Sequence, residues 1–217
     1  MASLSCSSTL VRLFWWAVLS LAGLEIAGIP AIIAVAVLPT EAPLLVLAMI
    51  FAPLGALFAL VQAQAIKDMR LHFAAWPAVG ALCWASVPLS VSLALAYPDG
   101  ELAFILAPAL ASSAILACGQ GALLASRSNL WPVWIAASFL GFLAFAGLSV
   151  WAWGMSLGHI EALDTLVLTM ALEFAIGGLV YVLLTGPALI LLIATRRHLG
   201  NSAEQIDGDR ASRQHAA

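Results

Sequence analysis

Long apolar runs alternate with short polar stretches along the chain. A helix needs roughly 20 consecutive apolar residues to cross the hydrocarbon core of a bilayer, and six runs reach that length. They cover residues 13–37, 43–66, 73–97, 102–125, 130–153 and 165–194, and a polar, charge-rich stretch occupies residues 195–217. The pattern predicts an all-α, polytopic membrane bundle of six transmembrane helices, followed by a disordered tail.

Composition excludes a soluble domain. Hydrophobic residues make up 64% of the 217 positions, charged residues only 9%, and the mean hydropathy is +1.07. Soluble domains carry about 25% charged residues, so this chain could not cover a water-facing surface. The net charge of −3 also offers no basic surface for nucleic acid.

All eight basic residues fall on one side of the predicted bundle. The stretches that hold them precede the first run, connect the second to the third and the fourth to the fifth, and follow the sixth. Cytoplasmic loops carry an excess of Lys and Arg, so we expect a multi-pass protein of the cell membrane with both termini in the cytoplasm. The residues are Arg12, Lys67, Arg70, Arg127, Arg196, Arg197, Arg210 and Arg213.

The first run has a second interpretation. Arg12, the apolar residues after it and the small residues at 34–36 follow the order of a secretory signal peptide with its cleavage site. The run is longer than the apolar region of a signal peptide and contains Glu25. We therefore expect an uncleaved span.

The even-numbered runs share a spacing. Each contains a small residue that is followed seven positions later by a polar one. Small residues let helices approach closely, and an amide can form a hydrogen bond across the gap, so the polar members are predicted to contribute interhelical packing. The pairs are Gly55 with Gln62, Ser113 with Gln120, and Gly178 with Thr185.

The odd-numbered runs share another spacing. Each opens with a tryptophan, followed by a small residue four positions later and a second one three positions further on. Together the two spacings predict three in–out–in hairpins of one orientation in a pseudo-threefold arrangement about an axis along the membrane normal. The odd-run residues are Trp16, Ser20 and Gly23; Trp76, Gly80 and Cys83; and Trp134, Ser138 and Gly141.

These repeated features resemble those of uncharacterised bacterial multi-pass membrane proteins. Their shared pattern is a Gly-rich helix, a Gln near its cytoplasmic end, a short basic loop and a Trp that opens the next helix. Residues 55–84 and 113–142 carry this pattern, whereas the third copy has Thr185 at the Gln position. The resemblance implies a repeated helical bundle and no particular activity.

Two ionisable side chains interrupt the spans, at Glu25 and Glu173. Ionisable residues within a span are rare and often mark proton or solute sites. A ladder at four-residue steps places Tyr181 on the same side of the sixth run as Glu173. We therefore treat Glu25, Glu173 and Tyr181 as a candidate intramembrane proton or solute site, with both carboxyls facing one interior space. The alternative is that each glutamate is a protonated group bonded to a neighbouring backbone.

No sequence pattern supports catalysis. Residues 154–158 match the Gly-x-Ser-x-Gly pattern, but that chemistry needs a strand–turn–helix and a positioned base, whereas this segment connects two predicted helices. The four histidines show no metal-ligand spacing. We expect a protein that is not an enzyme and that needs no cofactor or metal.

Two functions remain open from the sequence. A structural or accessory subunit, with the lipid bilayer and other membrane proteins or further copies of itself as partners, would account for the small-residue faces and short loops. A small-solute or proton-coupled transporter would account for the repeat and for Glu25 and Glu173.

Overall fold

The structure is a computed structural model, which describes most of the predicted spans. The predicted tail after Thr195 and the basic residues from Lys67 onwards lie outside the described residues. The described residues are 3–37, 43–66, 75–95, 101–125, 128–156, 168–169, 171–192 and 195.

Six long helices make up nearly all of this part of the chain, and it contains no strand. Five helices contain segments that are long and apolar enough to cross a membrane, and the apolar segment of the other, Ala75–Leu89, is shorter. The prediction of a helical membrane bundle is confirmed. The helices are α1 (Ser3–Val37), α2 (Leu44–Ala65), α3 (Ala75–Leu95), α4 (Glu101–Ala125), α5 (Trp131–Ser156) and α6 (Ala171–Leu192).

The first helix begins earlier than its apolar run. It starts at Ser3, whereas the apolar run was placed from Leu13. Hydropathy reports only the part of a helix that lies in hydrocarbon, and a helix can continue beyond it into the polar interface. The segment of α1 that qualifies as a span is Thr9–Ala31.

The six helices contact one another in chain order. Each of α1 to α4 packs on the helix that follows it. Tyr181 of α6 lies against Gly141 of α5, and Leu13 near the start of α1 lies against Gly186 near the end of α6. The contacts therefore close into a ring in which the start of α1 and the end of α6 share one end of the bundle. We call the half of the bundle at this end the proximal half.

The side chains in the interior of the bundle differ in kind from those on its outer surface. Aromatic and small residues occupy the interior, whereas leucines such as Leu45, Leu82, Leu172 and Leu183 are largely exposed on the outer surface. Lipid tails are as apolar as these leucines, so exposure costs nothing in a bilayer, and interior contacts depend on close fit and hydrogen bonds instead.

A close backbone contact joins α2 to α3. A Cβ built on Gly55 would collide with the carbonyl oxygen of Gly80, and a Cβ on Gly80 would collide with that of Gly55. Only glycine at both positions allows the two backbones to approach this closely. The contact lies one to two turns from Gln62, so it holds α3 near that amide.

Candidate functional site: a buried polar network

The four polar residues singled out in the even-numbered spans and in the α6 ladder lie in the interior. Gln62, Gln120, Tyr181 and Thr185 are all fully buried. A buried polar group in an apolar environment is costly unless it is hydrogen-bonded. Their hydrogen bonds therefore decide whether these residues form an open site or a closed one.

Gln62 is the centre of the network. Its Nε2 atom donates to the hydroxyl oxygens of Ser20 (3.3 Å) and Tyr181 (2.9 Å). Its Oε1 atom accepts from the indole of Trp76 (3.4 Å) and from Nε2 of Gln120 (3.1 Å). One side chain of α2 thus binds residues of α1, α3, α4 and α6.

Gln120 extends the network to the remaining helix. Its Oε1 atom accepts from the indole of Trp134 (3.2 Å) and from the hydroxyl of Ser138 (3.3 Å), both on α5. Its Nε2 atom donates to Gln62. The two glutamines therefore connect all six helices through side-chain hydrogen bonds.

The third tryptophan uses a different acceptor. Trp16 donates its indole N–H to Oγ1 of Thr185 (3.1 Å), which in turn donates to the backbone oxygen of Tyr181 (2.8 Å). In α6, Thr185 thus accepts from a tryptophan while Tyr181, one turn away, reaches the central glutamine.

The donors fix the orientation of both amides. An indole N–H can only donate, so the amide atom that faces it must be oxygen. Trp76 therefore sets the orientation of Gln62, and Trp134 sets that of Gln120. Each amide oxygen accepts two hydrogen bonds, which fills both of its lone pairs. The network can hold helices together, and its carbonyl oxygens are already occupied.

The three tryptophan rings also contact one another. The centroid of Trp134 lies 5.4 Å from that of Trp16, with the rings edge-to-face, and 6.2 Å from that of Trp76. All three rings are buried. They close the interior beside the amides with aromatic packing that excludes water.

Beyond the network, apolar side chains fill the interior. Leu24, Phe58, Leu116 and Phe142 are buried there. Trp84 lies among them, and its buried ring packs near Phe58. Its Nε1 atom is buried without a hydrogen-bond partner in the described part of the chain.

The two membrane glutamates lie apart from the network. Both are half-buried. Leu21 and Gly28, one turn on either side of Glu25, pack on Gly178 and Phe174 of α6, and Glu173 lies one turn from Gly177, which packs against Phe145 of α5. No hydrogen bond between the two carboxyls occurs among the described residues, and their facing one interior space stays a prediction. The Oε2 atom of Glu173 is buried without a partner there.

Sequence reasoning missed the donors of this network. Trp16, Trp76 and Trp134 were interpreted as the openings of their spans, and Ser20 and Ser138 as small packing residues. A signal was present, because Gln62 and Gln120 each precede their indole donor by 14 residues. Spacing alone could not show that the indole and the amide meet, since this depends on how the intervening loop folds.

Comparison with models of protein families, with curated proteins and with solved structures finds no match for this chain.

Proposed function

We propose that this chain is a structural or accessory subunit of the membrane, a compact six-helix bundle that packs against other membrane proteins. The observation that supports this most is the Gln62–Gln120 network. Its amide oxygens each accept two donors, so the interior is tied together by hydrogen bonds. An interior of this kind suits a rigid scaffold better than a solute path, which needs polar groups that a solute can reach.

The proposal includes three in–out–in hairpins related by pseudo-threefold symmetry. Gly23 packs on Phe58 in the first hairpin as Gly141 packs on Tyr181 in the third, and each glycine meets both the ring and the backbone of its aromatic partner. The repeat alignment pairs Phe58 with Tyr181, so equivalent positions make equivalent contacts.

The contacts between hairpins support the same repeat. Each of the three tryptophans donates to the polar residue of the preceding hairpin: Trp76 to Gln62, Trp134 to Gln120 and, across the closure of the ring, Trp16 to Thr185. We further propose that the proximal half lies on the cytoplasmic side, which the distribution of basic residues favours.

The accessory role is tested by affinity purification. A C-terminally tagged full chain is extracted in mild detergent from its native membranes, and the stoichiometry of co-purifying membrane proteins is measured. A partner in fixed ratio is expected. Recovery of the bundle alone, together with solute uptake by vesicles that contain only this chain, contradicts the proposal.

A second candidate is a small-solute or proton-coupled transporter that uses Glu25 and Glu173, with Tyr181 beside its path. The buried, unpartnered Oε2 atom of Glu173 favours it, because such an oxygen could take up a proton or bind a solute. Glu→Gln variants test it, since Gln keeps hydrogen-bonding capacity but cannot titrate. Proton-dependent uptake that each variant abolishes while the fold stays stable would favour transport. No uptake by the unaltered protein in vesicles would exclude it.

A further inference from the structure

The two central glutamines connect five helices of the ring through atoms outside α6. Gln62 is hydrogen-bonded to Ser20 of α1 and to Trp76 of α3. It is also bonded to Gln120 of α4, which accepts from Trp134 of α5. Helices α1 to α5 therefore form a connected set that would keep these hydrogen bonds if α6 moved.

Hydroxyl groups attach α6 to this set. Gln62 donates to the hydroxyl of Tyr181, and Trp16 donates to that of Thr185. Thr185 occupies the position that holds glutamine in the other even-numbered helices, and it uses its own hydroxyl proton on the backbone of α6. An amide has two donors and two acceptor lone pairs, whereas a hydroxyl has a single donor. These attachments of α6 to α1 and α2 therefore depend on one hydroxyl group each.

The contact between α1 and α6 is made by flexible side chains at two glycines of α6. A Cβ built on Gly178 would meet the ends of the side chains of Leu21 and Leu24. A Cβ built on Gly186 would meet the end of Leu13. We call this boundary the α1–α6 seam. Side-chain ends can change rotamer while both backbones stay helical, so the two helices can separate here without distortion of either.

The contact between α5 and α6 is of a different kind. A Cβ built on Gly141 of α5 would meet backbone atoms of Tyr181 as well as its ring. A Cβ built on Gly177 of α6 would meet backbone atoms of Phe145 as well as its ring. Glycine lets neighbouring backbones approach this closely. α6 is therefore packed more closely along α5 than along the seam.

The covalent chain also leaves the α1–α6 seam free to open. Trp16 and Thr185 meet there although 169 residues separate them in the sequence. By contrast, residues 66–74 join α2 to α3, and residues 126–130 join α4 to α5. Short connections limit how far those pairs of helices can separate, and the seam has no such limit.

We propose that α6 is a lateral gate, which turns about its contact with α5 and opens the ring at the α1–α6 seam. The structure shows the closed ring, and α1 to α5 are the fixed part. Opening releases the indole N–H of Trp16 and one N–H of Gln62 from their acceptors on α6, so that both donors can be reached from the bilayer. The gate goes beyond the accessory role and does not depend on it.

Distances between spin labels test the gate. The three cysteines are replaced by alanine, and labels are attached through Val18→Cys on α1 and Leu183→Cys on α6, both at exposed positions. A second labelled pair, Leu57→Cys on α2 and Leu82→Cys on α3, spans a boundary that should stay closed. Double electron–electron resonance in lipid nanodiscs should show a second, longer distance for the α1–α6 pair and one distance for the α2–α3 pair.

Removal of the two hydroxyl groups should favour the open ring. Tyr181→Phe and Thr185→Val should each raise the ratio of open to closed molecules about threefold, the effect of one average interhelical hydrogen bond, and together about eightfold. Trp76→Phe is the matched control, because it removes a hydrogen bond of Gln62 that does not involve α6. It should leave the distances across the seam unchanged.

Three results would overturn the gate: one short distance across the seam in the double variant, equal opening of the seam by Trp76→Phe, or a longer distance that appears between α2 and α3 instead. If the double variant does not fold, the two single variants are judged by the same criteria. Co-purification from native membranes judges the accessory role separately. A stoichiometric partner together with a seam that stays closed would leave that role in place and overturn only the gate.

Discussion

At the scale of single residues, the one side chain of Gln62 forms hydrogen bonds to four other helices. Its four hydrogen-bond partners lie on α1, α3, α4 and α6. The sequence predicts its burial and its packing role, because a polar residue seven positions after a small one recurs in each even span. It does not predict the partners, since the meeting of four helices at one amide depends on the closure of the ring.

Replacement of Gln62 by leucine should destabilise the bundle. The change removes four hydrogen bonds and leaves the N–H of Trp76 and the amide of Gln120 without their acceptor. Interhelical hydrogen bonds in membrane proteins contribute on average about 0.6 kcal/mol each, so we expect a loss of about 2 kcal/mol or more in the free energy of unfolding, measured by denaturing-detergent titration.

Gln64 is the matched control for this change. It lies two residues further along α2 and is exposed. Gln64→Leu should leave the unfolding free energy within about 0.5 kcal/mol of the original value. Equal effects at the two positions would mean that the network does not hold the helices together.

At the scale of elements, the tryptophans show where sequence reasoning stops. Their regular spacing predicts that Trp16, Trp76 and Trp134 occupy equivalent places in α1, α3 and α5. Interfacial tryptophans have the same spacing as buried ones, because both lie near span ends. The burial of Trp16 depends on the packing of α6 on α1. The same packing gives its indole N–H an acceptor, Oγ1 of Thr185.

A double-mutant cycle on Trp16→Phe and Thr185→Val should detect that closing contact. Because the indole donates directly to Oγ1 of Thr185, the two changes should not be additive. We expect a coupling free energy of about 0.6–1.7 kcal/mol in unfolding measurements. Trp16→Phe combined with Gln120→Leu, which share no hydrogen bond, gives the reference. A coupling no larger than that reference would show that α1 and α6 do not meet through this pair.

The crossing of α2 and α3 should be sensitive to a single methyl group. Gly55→Ala places a Cβ against the backbone of Gly80 and the ring of Trp84, so the helices must move apart. We expect a loss of about 1–3 kcal/mol in the free energy of unfolding, as for overpacked cores. Gly147→Ala is the control, because a Cβ there meets nothing within 4 Å. It should be neutral or stabilising by up to about 1 kcal/mol, since alanine favours helix more than glycine does. The reverse order of the two variants would contradict the close contact.

At the scale of the whole molecule, the closed ring of helices brings polar residues of different spans into contact. Gln62 and Gln120 are hydrogen-bonded to each other, and Thr185 is hydrogen-bonded to Trp16 across the closure of the ring. The glutamates have no counterparts at the aligned positions of the other spans, so the repeated spacing gave no reason for them to converge, and both are half-buried. Features that follow the repeat could be placed from the sequence, whereas features outside it required the helix rotations.

The orientation of the whole molecule in the membrane can be tested with fusion proteins. The start of α1 and the end of α6 share the proximal half, because Leu13 meets Gly186 and Trp16 meets Thr185. Both termini should therefore lie on one side, and we expect this to be the cytoplasmic side because the sequence places its Lys and Arg residues there. Green fluorescent protein fused after Ala217 should fluoresce, and alkaline phosphatase at the same place should be inactive. Fusions after Thr40, between the first two spans, should give the opposite result. Active phosphatase after Ala217 would invert the bundle and place the glutamine network in its outer half.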